Sequence, residues 1–407
     1  MKREYKMRKI MIICQCATNK GDRAIAEYLL DRLSSEDIFI TLSTTEPTLW
    51  ANTGIKRLKV IGMGYRNLFD KINNRYIRKI CHRITKLYYE HFVYPELISN
   101  KTKKNCERIS KEYISALKEA ELVIVTGGHH ITSIRNKNAL FAITYDIALA
   151  SIYSKKYILW SQTIGPLSFE NQKIKGLFAK IINNANAVFI RDDNSRRCLD
   201  ELVGSNQGNI FKSYDSVFGF GNKEYRPIAE RENKVGISIF NGLKKAFDTY
   251  PAIAKVLDFF ALQGNSIEFF RMEHDAKELR DIKSIIDLMK VKATIKIYPF
   301  ESSTEEHLQE LSSCRYYIGY KTHSVIMALA TGTPLLGICY HKKTHDFMAD
   351  YGLEGYAIDD EMFNEEQGIL ISQKIIEQAN NIHMLMIEKS KEIAFAIRDH
   401  FEEAMKQ

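Results

Sequence analysis

The chain has 407 residues, of which 45% are hydrophobic and 27% are charged, so it is a globular protein that is too long for one ordinary core. Its formal net charge is +8, and it shows neither a run of about 18 consecutive apolar residues nor a signal-peptide pattern, so we expect no membrane-spanning helix and no secretion leader. Seven cysteines without a C-x-x-C pair argue against a disulfide framework and a zinc ribbon, and indicate a cytoplasmic protein.

Short apolar runs alternate with helical patterns along the chain, which is typical of parallel sheets built from βαβ units. In the first half we predict strands over residues 9–16, 38–42, 57–61, 122–126, 157–162 and 187–191, and helices over 22–33 and 171–183. In the second half we predict strands over 234–240, 266–270, 294–298, 316–319 and 334–339.

These elements predict an α/β fold of two Rossmann-like domains. We place the first domain at 1–218, a linker at 219–233, the second domain at 234–372, and a long charged C-terminal helix at 373–407 that could cross back onto the first domain. Two such domains that face each other would leave a cleft lined by the carboxyl ends of both sheets, so functional residues are expected directly after strands.

The excess positive charge is concentrated in a helical insertion at 65–104, where ten basic and three acidic residues give a net charge of +7. The residues near helical spacing, which predict an amphipathic helix with a basic face and a Tyr-rich apolar face, are Ile72, Tyr76, Ile80, Arg83, Leu87 and Tyr88. Such a helix can lie on an anionic membrane surface, or it can pack on its own domain with a solvated basic face. The sequence leaves both open, and without a helix-turn-helix, zinc finger or RNP-type motif we expect no nucleic acid partner.

The first polar motif, Asn19-Lys-Gly21-Asp22, follows the opening strand and begins the first helix. Gly21 permits a tight turn, and the free N–H groups at a helix start can hold an anion or a polar ligand. Capping of the helix by Asp22 would also explain the pattern.

Three further motifs end strands of the first half. Gly128, His129 and His130 follow one strand, where a glycine pair lets a ligand approach the backbone and the histidines could contact a hydroxyl or a proton in transfer. A simple turn with surface histidines explains them equally well. Gln162 belongs to a strand that runs into a Gly-Pro turn, and Arg191 ends an apolar strand, so that its side chain is predicted to point into the cleft.

The segment Lys321-Thr-His323-Ser324 is the most informative motif. It ends a strand and begins a short helix, so a lysine and a histidine stand where the helix dipole and free amides already favour an anion. Lys343, after the next strand, adds positive charge at the same sheet edge.

The six motifs N-x-G-D-x-A-I, Gly-Gly, S-Q-x-I-G-P, F-I-R-D-x-x-S, K-T-H-S and Y-x-x-K follow one another between residues 10 and 353. In this order they resemble the polysaccharide pyruvyl transferase family, which has R-x-H where this chain has K-T-H. The resemblance implies a glycosyltransferase-B-like fold, phosphoenolpyruvate as the donor, and transfer of its enolpyruvyl group to a sugar as a ketal with release of phosphate.

The resemblance also implies roles for particular residues, with the second domain as the donor side and the first as the acceptor side. His323 and Asp22 would be catalytic; the donor would be bound by Arg191, Lys321, His323, Ser324 and Lys343; and the acceptor would be bound by Asn19, Gly21, Asp22, Gly128, His129, His130 and Gln162. Lysine is a point charge where the family's arginine can bind a carboxylate or phosphate with two parallel hydrogen bonds, which leaves the identity of the donor open.

Ketal formation needs general acid and base groups and cations for the leaving phosphate, so we expect no metal and no cofactor besides phosphoenolpyruvate as co-substrate. The acceptor would be a sugar or a lipid-linked glycan, and the location cytoplasmic or peripheral on the inner face of the cell membrane. A nucleotide-sugar-dependent glycosyltransferase and a non-catalytic paralogue that binds a glycan precursor are the alternatives.

Overall fold

The computed structural model describes residues 7–16, 18–50, 53–69, 75–99, 103–134, 137–154, 156–221, 226–240 and 246–406, and the side chains of Arg75, of 137–139 and of 246–248 are left aside. The chain divides into two compact units. Unit 1 contains Met1–Ala17, Leu29–Asp215 and His400–Gln407, and unit 2 contains Thr18–Tyr28 and Ser216–Asp399.

Unit 1 is built on a parallel sheet of eight strands in the order β3-β2-β1-β4-β6-β7-β8, with β5 paired to β6. The strands are β1 (Arg8–Gln15), β2 (Ile38–Thr44), β3 (Leu58–Gly62), β4 (Leu122–Val125), β5 (Gly128–Ile131), β6 (Tyr157–Ile164), β7 (Ala187–Ile190) and β8 (Ile210–Lys212). The helices of this part of the chain are α1 (Lys20–Arg32), α2 (Arg75–Tyr88), α3 (Tyr94–Ser99), α4 (Lys104–Ile109), α5 (Lys111–Glu119), α6 (Lys137–Tyr153), α7 (Gln172–Asn184) and α8 (Asp193–Val203).

Unit 2 is built on a second parallel sheet, of six strands in the order β11-β10-β9-β12-β13-β14. Its strands are β9 (Glu232–Ser238), β10 (Ser266–Phe270), β11 (Ile295–Tyr298), β12 (Cys314–Gly319), β13 (Leu335–Cys339) and β14 (Ala357–Asp359). The helices are α9 (Ala246–Leu262), α10 (Ala276–Leu288), α11 (Thr304–Ser313), α12 (Thr322–Ala330), α13 (Lys342–Asp350) and α14 (Glu365–Lys406).

Both sheets form the centre of their unit, because their inner strands are apolar and are covered by other elements on both faces. Every residue of β4, β6, β7 and β13 is buried, as expected for parallel strands with helices on either side. In each sheet the strand order reverses beside the first strand, between β1 and β4 and between β9 and β12. In open α/β sheets ligands bind at such switch points, beyond the carboxyl ends of the strands.

The predicted α/β fold is confirmed, and every predicted strand is present within two residues at each end. The predicted helix at 22–33 begins instead at Lys20, because Asn19 rather than Asp22 caps it: the Asn19 Oδ1 accepts from the N–H groups of Gly21 (2.9 Å) and Asp22 (3.4 Å). The segment after β4, which could have been a turn, forms the short strand β5. The C-terminal helix begins at Glu365, eight residues before its predicted start.

The predicted first domain, 1–218, and unit 1 differ at Thr18–Tyr28, which groups with unit 2, while the last residues of α14 group with unit 1. Part of the predicted linker (222–225) and of the basic insertion (70–74 and 100–102, which include Lys71, Ile72 and Lys101) lies outside the described residues. None of the helices in the described part of the chain is long and apolar enough to cross a membrane.

Candidate functional site

A polar cluster lies at the start of helix α12, within unit 2. Its members are Asn19, Gly21, Glu273, Lys321 and His323, and we call it the α12 cluster. Lys321 lies two residues after β12, one of the two strands at the switch point of this sheet, and Glu273 lies three residues after β10, which is separated from β12 by β9. The cluster therefore occupies the edge where a parallel α/β sheet usually binds its ligand.

The loop before α1 enters the cluster by pairing with the loop after β10. Asn19 and Glu273 form an antiparallel bridge, and the N–H of Lys20 donates to the carbonyl of Met272 (2.9 Å). On the other side of the bridge, the N–H of His274 donates to the carbonyl of Thr18 (3.0 Å). These bonds bring a motif from the start of the chain beside Lys321, which is some 300 residues away in sequence.

One carboxylate oxygen joins the two halves of the cluster. Oε1 of Glu273 accepts a hydrogen bond from Nδ2 of Asn19 (2.9 Å) and forms an ion pair with Nζ of Lys321. The Lys321 side chain is 6% exposed and that of Glu273 is 24% exposed. The cationic group is thus desolvated, while its carboxylate partner still reaches solvent.

Gly21 and His323 are in direct contact. A Cβ atom placed on Gly21 would lie 2.0 Å from Cγ and 2.1 Å from Nδ1 of the His323 ring, so a side chain at position 21 would displace the imidazole. The requirement for glycine in this loop is therefore a packing requirement, because the backbone of Gly21 forms one wall of the pocket that holds the His323 ring.

The predicted catalytic Asp22 lies one residue beyond this contact, half-buried in the first turn of α1. Ser324 is buried in the first turn of α12, where its Oγ accepts from the N–H of Lys321 (3.2 Å) and donates to the Lys321 carbonyl (2.7 Å). Ser324 therefore fixes the backbone of Lys321.

Lys20 anchors the loop before α1 to the loop before α11. The sequence did not predict it as a site residue. Its side chain is buried, with Nζ donating to the carbonyls of Phe300 (3.1 Å) and Ser302 and to the Ser302 Oγ (3.3 Å). Desolvation by burial lowers the pKa of Lys20 to about 8. Its carbonyl partners lie on the loop before α11, so Lys20 ties the start of α1 to unit 2.

Glu278, in the first turn of α10, supports Glu273 from within the unit. Its fully buried carboxylate accepts from the N–H groups of Met272 (2.8 Å) and Glu273 (3.1 Å). Desolvation by burial raises the pKa of Glu278 to about 7, against the opposing attraction of Lys321 and the two amides. The carboxylate that orients the Glu273 backbone can therefore change charge near neutral pH.

The predicted donor residue Lys343 lies at the start of the next helix, α13, half-buried with Nζ 5.8 Å from the centre of the Phe347 ring. The starts of α12 and α13 are joined by a hydrogen bond between the hydroxyls of Thr322 and Thr344 (2.8 Å). Two helix N-termini with a lysine each thus lie side by side, an arrangement that favours an anionic ligand.

The other predicted site residues are in unit 1, at the carboxyl ends of its central strands. Gly128 has φ +128°, which favours glycine, and Nε2 of the half-buried His129 lies 2.9 Å from the Gly165 carbonyl. Gln162 is fully buried, and its amide donates to the carbonyls of Val125 (3.1 Å) and Thr126 (2.7 Å). Gln162 thus links β4 to β6, which gives it a structural task; its predicted part in acceptor binding remains a prediction, as do those of Gly128, His129 and His130.

Arg191 was predicted to point into the cleft as a donor-binding cation. Its guanidinium is fully buried, forms an ion pair with the equally buried Asp215, and donates to the Thr163 hydroxyl through Nε (3.1 Å) and a terminal nitrogen (2.9 Å). Burial and pairing of this kind explain the residue as an internal link between β6, β7 and the loop after β8. Donor binding by Arg191 remains a prediction.

The described residues contain no group of three His, Cys, Asp or Glu side chains placed to hold a metal ion. The functional candidates that sequence reasoning missed are Lys20, Glu273 and Glu278. Lys20 stands within a quoted motif, but Glu273 and Glu278 follow an ordinary strand, and no local pattern marks them as neighbours of Lys321.

Comparisons with known proteins agree with the motifs. The sequence profile described as polysaccharide pyruvyl transferase matches residues 19–342, whereas a search of curated protein sequences gave no significant match. Among solved structures the chain is similar to a putative UDP-N-acetylglucosamine 2-epimerase from Listeria monocytogenes (12% identity, TM-score 0.56, 98% of this chain and 97% of that one).

Two further structures are similar over the full length. One is a glycosyltransferase from Rickettsia africae (9% identity, TM-score 0.56, 98% of each chain). The other is the Anabaena protein HepE in complex with UDP-glucose (12% identity, TM-score 0.55, 98% of this chain and 99% of that one). At these identities the likeness shows the fold alone, and it confirms the glycosyltransferase-B-like class.

Proposed function

Because the chain belongs to the polysaccharide pyruvyl transferase family, we propose that it transfers the enolpyruvyl group of phosphoenolpyruvate to a sugar of a polysaccharide precursor. The observation that carries the proposal is the α12 cluster. It joins the first and the fifth of the six motifs in one unit and holds a lysine and a histidine at a helix N-terminus.

Phosphoenolpyruvate carries a carboxylate and a phosphate, and the starts of α12 and α13 offer two kinds of group to them. The backbone amides of each first turn donate to an anion, and Lys321 and Lys343 add full positive charges. Glu273 forms an ion pair with Lys321, so the donor has to compete with this carboxylate for the lysine.

We assign His323 the first chemical step. Its imidazolium delivers a proton to the methylene carbon of the enol while a sugar hydroxyl attacks the neighbouring carbon. The C–O bond to phosphate then breaks, phosphate leaves with the electron pair, and a second sugar hydroxyl completes the ketal. The two hydroxyl protons are returned, one to the imidazole and one to the phosphate, so the overall reaction consumes one phosphoenolpyruvate and releases one phosphate.

The contact between Gly21 and the His323 ring supports this assignment, because a general acid must be held within hydrogen-bond reach of its target. For the acceptor we propose a nucleotide-linked or lipid-linked sugar. A membrane-peripheral location would suit the lipid-linked case.

The direct test incubates the protein with phosphoenolpyruvate and a panel of nucleotide-linked and lipid-linked sugars, and measures phosphate release together with the mass of the products. We expect acceptor-dependent phosphate release and a product heavier by one pyruvate ketal. Thermal-unfolding measurements with phosphoenolpyruvate, UDP-glucose and GDP-mannose run in parallel, and we expect protection by phosphoenolpyruvate alone.

Protection by a nucleotide sugar without phosphate release from phosphoenolpyruvate would overturn the proposal in favour of a glycosyltransferase. Binding of phosphoenolpyruvate without turnover on any acceptor would favour a non-catalytic paralogue.

A further inference from the structure

Helix α2 in unit 1 presents an apolar face to solvent. Its five exposed apolar side chains are Tyr76 (78% exposed), Ile77 (47%), Ile80 (58%), Ile84 (47%) and Leu87 (53%). At 100° per residue they fall within an arc of about 100°, so they form one continuous stripe along the helix. We call this stripe the α2 face.

The helix is attached to unit 1 by a different side. Cys81, Thr85 and Tyr89, at intervals of four residues, are buried. The Tyr89 hydroxyl lies between the N–H (3.1 Å) and the carbonyl (3.3 Å) of Arg66, and the Thr85 hydroxyl donates to Oδ1 of Asn67 (2.9 Å). The helix therefore packs on its own domain, as one of the two alternatives predicted, but it does so through a side other than the α2 face.

Basic side chains border the α2 face on one side. The helix contains five lysines and arginines and no acidic residue, and the exposed Lys79 and Arg83 lie next to Tyr76 on the helix surface. The acidic groups that neighbouring elements bring to this region are Glu90 and Glu170, and both are paired with Lys86 (4.0 and 2.6 Å). Lys79 and Arg83 face no such carboxylate at ion-pair distance in the described part of the chain.

We infer that the α2 face docks the protein on a bilayer that contains anionic lipid, independently of the reaction that the protein catalyses. An apolar stripe flanked by lysine and arginine matches the layered chemistry of such a surface, because the apolar side chains enter the acyl boundary while the cations meet the lipid phosphates. A second copy of the chain would present the same positive charge to itself, which disfavours self-association through this face.

The test is co-sedimentation of the full chain with vesicles of phosphatidylcholine alone and with vesicles that contain about 30% phosphatidylglycerol, without substrates. We expect binding to the anionic vesicles, at least tenfold weaker binding to the neutral ones, and weakening as salt rises. Ile80→Gln with Ile84→Gln, at exposed positions where glutamine suits a helix, should lower the affinity for anionic vesicles about tenfold or more.

Two matched variants separate the contributions. Leu262→Gln, at a side chain that is 75% exposed in unit 2, should bind vesicles like the wild type. Lys79→Gln with Arg83→Gln should lower the affinity for anionic vesicles about tenfold or more and change that for neutral vesicles little, since both cations are attracted to the lipid phosphates.

Equal binding to both vesicle types, no binding to either, or loss of binding in the charge variant but not in the Ile80 and Ile84 variant would overturn the inference. So would a dimer in solution that the Ile80 and Ile84 variant dissociates, because the α2 face would then be covered by a second copy. Phosphate release with a water-soluble acceptor should be the same in all these variants, so failure of docking and failure of the proposed transfer are distinguishable.

Discussion

Each unit has a buried cation just beyond the end of a strand, and the two cations differ in how far their carboxylate partners are exposed to solvent. Arg191 in unit 1 is paired with Asp215, and neither side chain has any exposed surface. Lys321 in unit 2 is paired with Glu273, of which 24% remains exposed, and the same carboxylate oxygen is shared with Asn19. The first pair is therefore shielded from solvent, whereas the carboxylate of the second pair is partly accessible to it.

In our proposal the Lys321–Glu273 pair belongs to the donor site, whereas the Arg191–Asp215 pair has the contacts of a structural ion pair. A fully buried pair is costly to break because the remaining charge loses its partner without gaining water. In the second pair Glu273 keeps contact with solvent, so an anion that replaced it at Lys321 would leave neither charge buried without a partner. Both cations end a parallel strand and belong to the same motif series, so sequence alone could not tell them apart.

The largest effect should follow from Arg191→Met, which leaves the Asp215 carboxylate buried without its guanidinium. We expect the free energy of unfolding of unit 1 to fall by about 3–5 kcal/mol. Both tryptophans, Trp50 and Trp160, are buried in unit 1, so urea denaturation followed by tryptophan emission reports on this unit.

Lys212→Ala is the control for that change, because it removes an exposed pair of the same unit (Lys212–Asp193, 2.8 Å), and it should alter the unfolding free energy by less than about 1 kcal/mol. If Arg191→Met unfolds like the wild type but no longer binds phosphoenolpyruvate, Arg191 is a ligand-binding cation after all.

The second largest effect concerns the rate of phosphate release, for which we propose His323 of unit 2 as the general acid. His323→Ala should lower turnover in the phosphate-release assay by roughly 100-fold or more, the usual scale for a lost general acid. His323→Gln can still donate a hydrogen bond and should keep more of the donor affinity while remaining slow. Near wild-type rates in both variants would make His323 a packing residue and would direct the search for the acid to His129 and His130.

Gly21→Ala tests whether the position of the His323 ring matters, without changing the histidine itself. The added Cβ would have to push the imidazole away from a contact of 2.0 Å, so turnover should fall in the same direction as in His323→Ala. Gly176→Ala, in helix α7 with no atom within 4 Å of the new Cβ, should leave turnover unchanged. Equal activity of the two alanine variants would show that the His323 ring need not stay where Gly21 holds it.

A third prediction compares two buried carboxylates. Burial raises the pKa of Glu278 in unit 2 and that of Asp146 in unit 1 to about 7 each, and each accepts two backbone N–H groups, Asp146 from Gly64 (3.0 Å) and Tyr65 (2.6 Å). An acid with a raised folded-state pKa stabilises the fold below its unfolded pKa and loses that contribution as pH rises through 7.

Between pH 5 and 8 the free energy of unfolding of the wild type should therefore fall by about 2 kcal/mol more than that of Glu278→Gln. It should fall by a similar amount more than that of Asp146→Asn. Tryptophan emission follows unit 1, and far-UV circular dichroism follows the whole chain. Only Glu278→Gln should also change the affinity for phosphoenolpyruvate, since Glu278 holds the backbone of Glu273. Altered donor affinity in Asp146→Asn would contradict this division.

The sequence predicts strands and sheet class well because parallel strands buried on both faces are nearly continuous apolar runs. It also predicts which motifs end those strands. It could not assign Thr18–Tyr28 to the second unit, because the bonds of Asn19 and Lys20 go to partners more than 250 residues away. Glu273 and Glu278 were missed for the same reason, since their importance lies in contacts and not in a local pattern.

The smallest effect, and the sharpest comparison with Arg191, concerns the pair of Lys321 and Glu273. If the Glu273 carboxylate competes with the donor for Lys321, Glu273→Gln should raise the affinity for phosphoenolpyruvate by up to about tenfold, because the amide oxygen can still accept from Asn19 but no longer neutralises the lysine.

Lys321→Arg should keep or improve affinity, since a guanidinium can bind a carboxylate or phosphate with two parallel bonds. Isothermal titration with phosphoenolpyruvate measures both, with Glu301→Gln, at an exposed glutamate of the same unit, as the control for a general change in charge. Weaker binding by Glu273→Gln would mean that this carboxylate orients Lys321 for the donor and does not compete with it, and a large loss in Lys321→Arg would mean that the lysine has a task other than holding the anion.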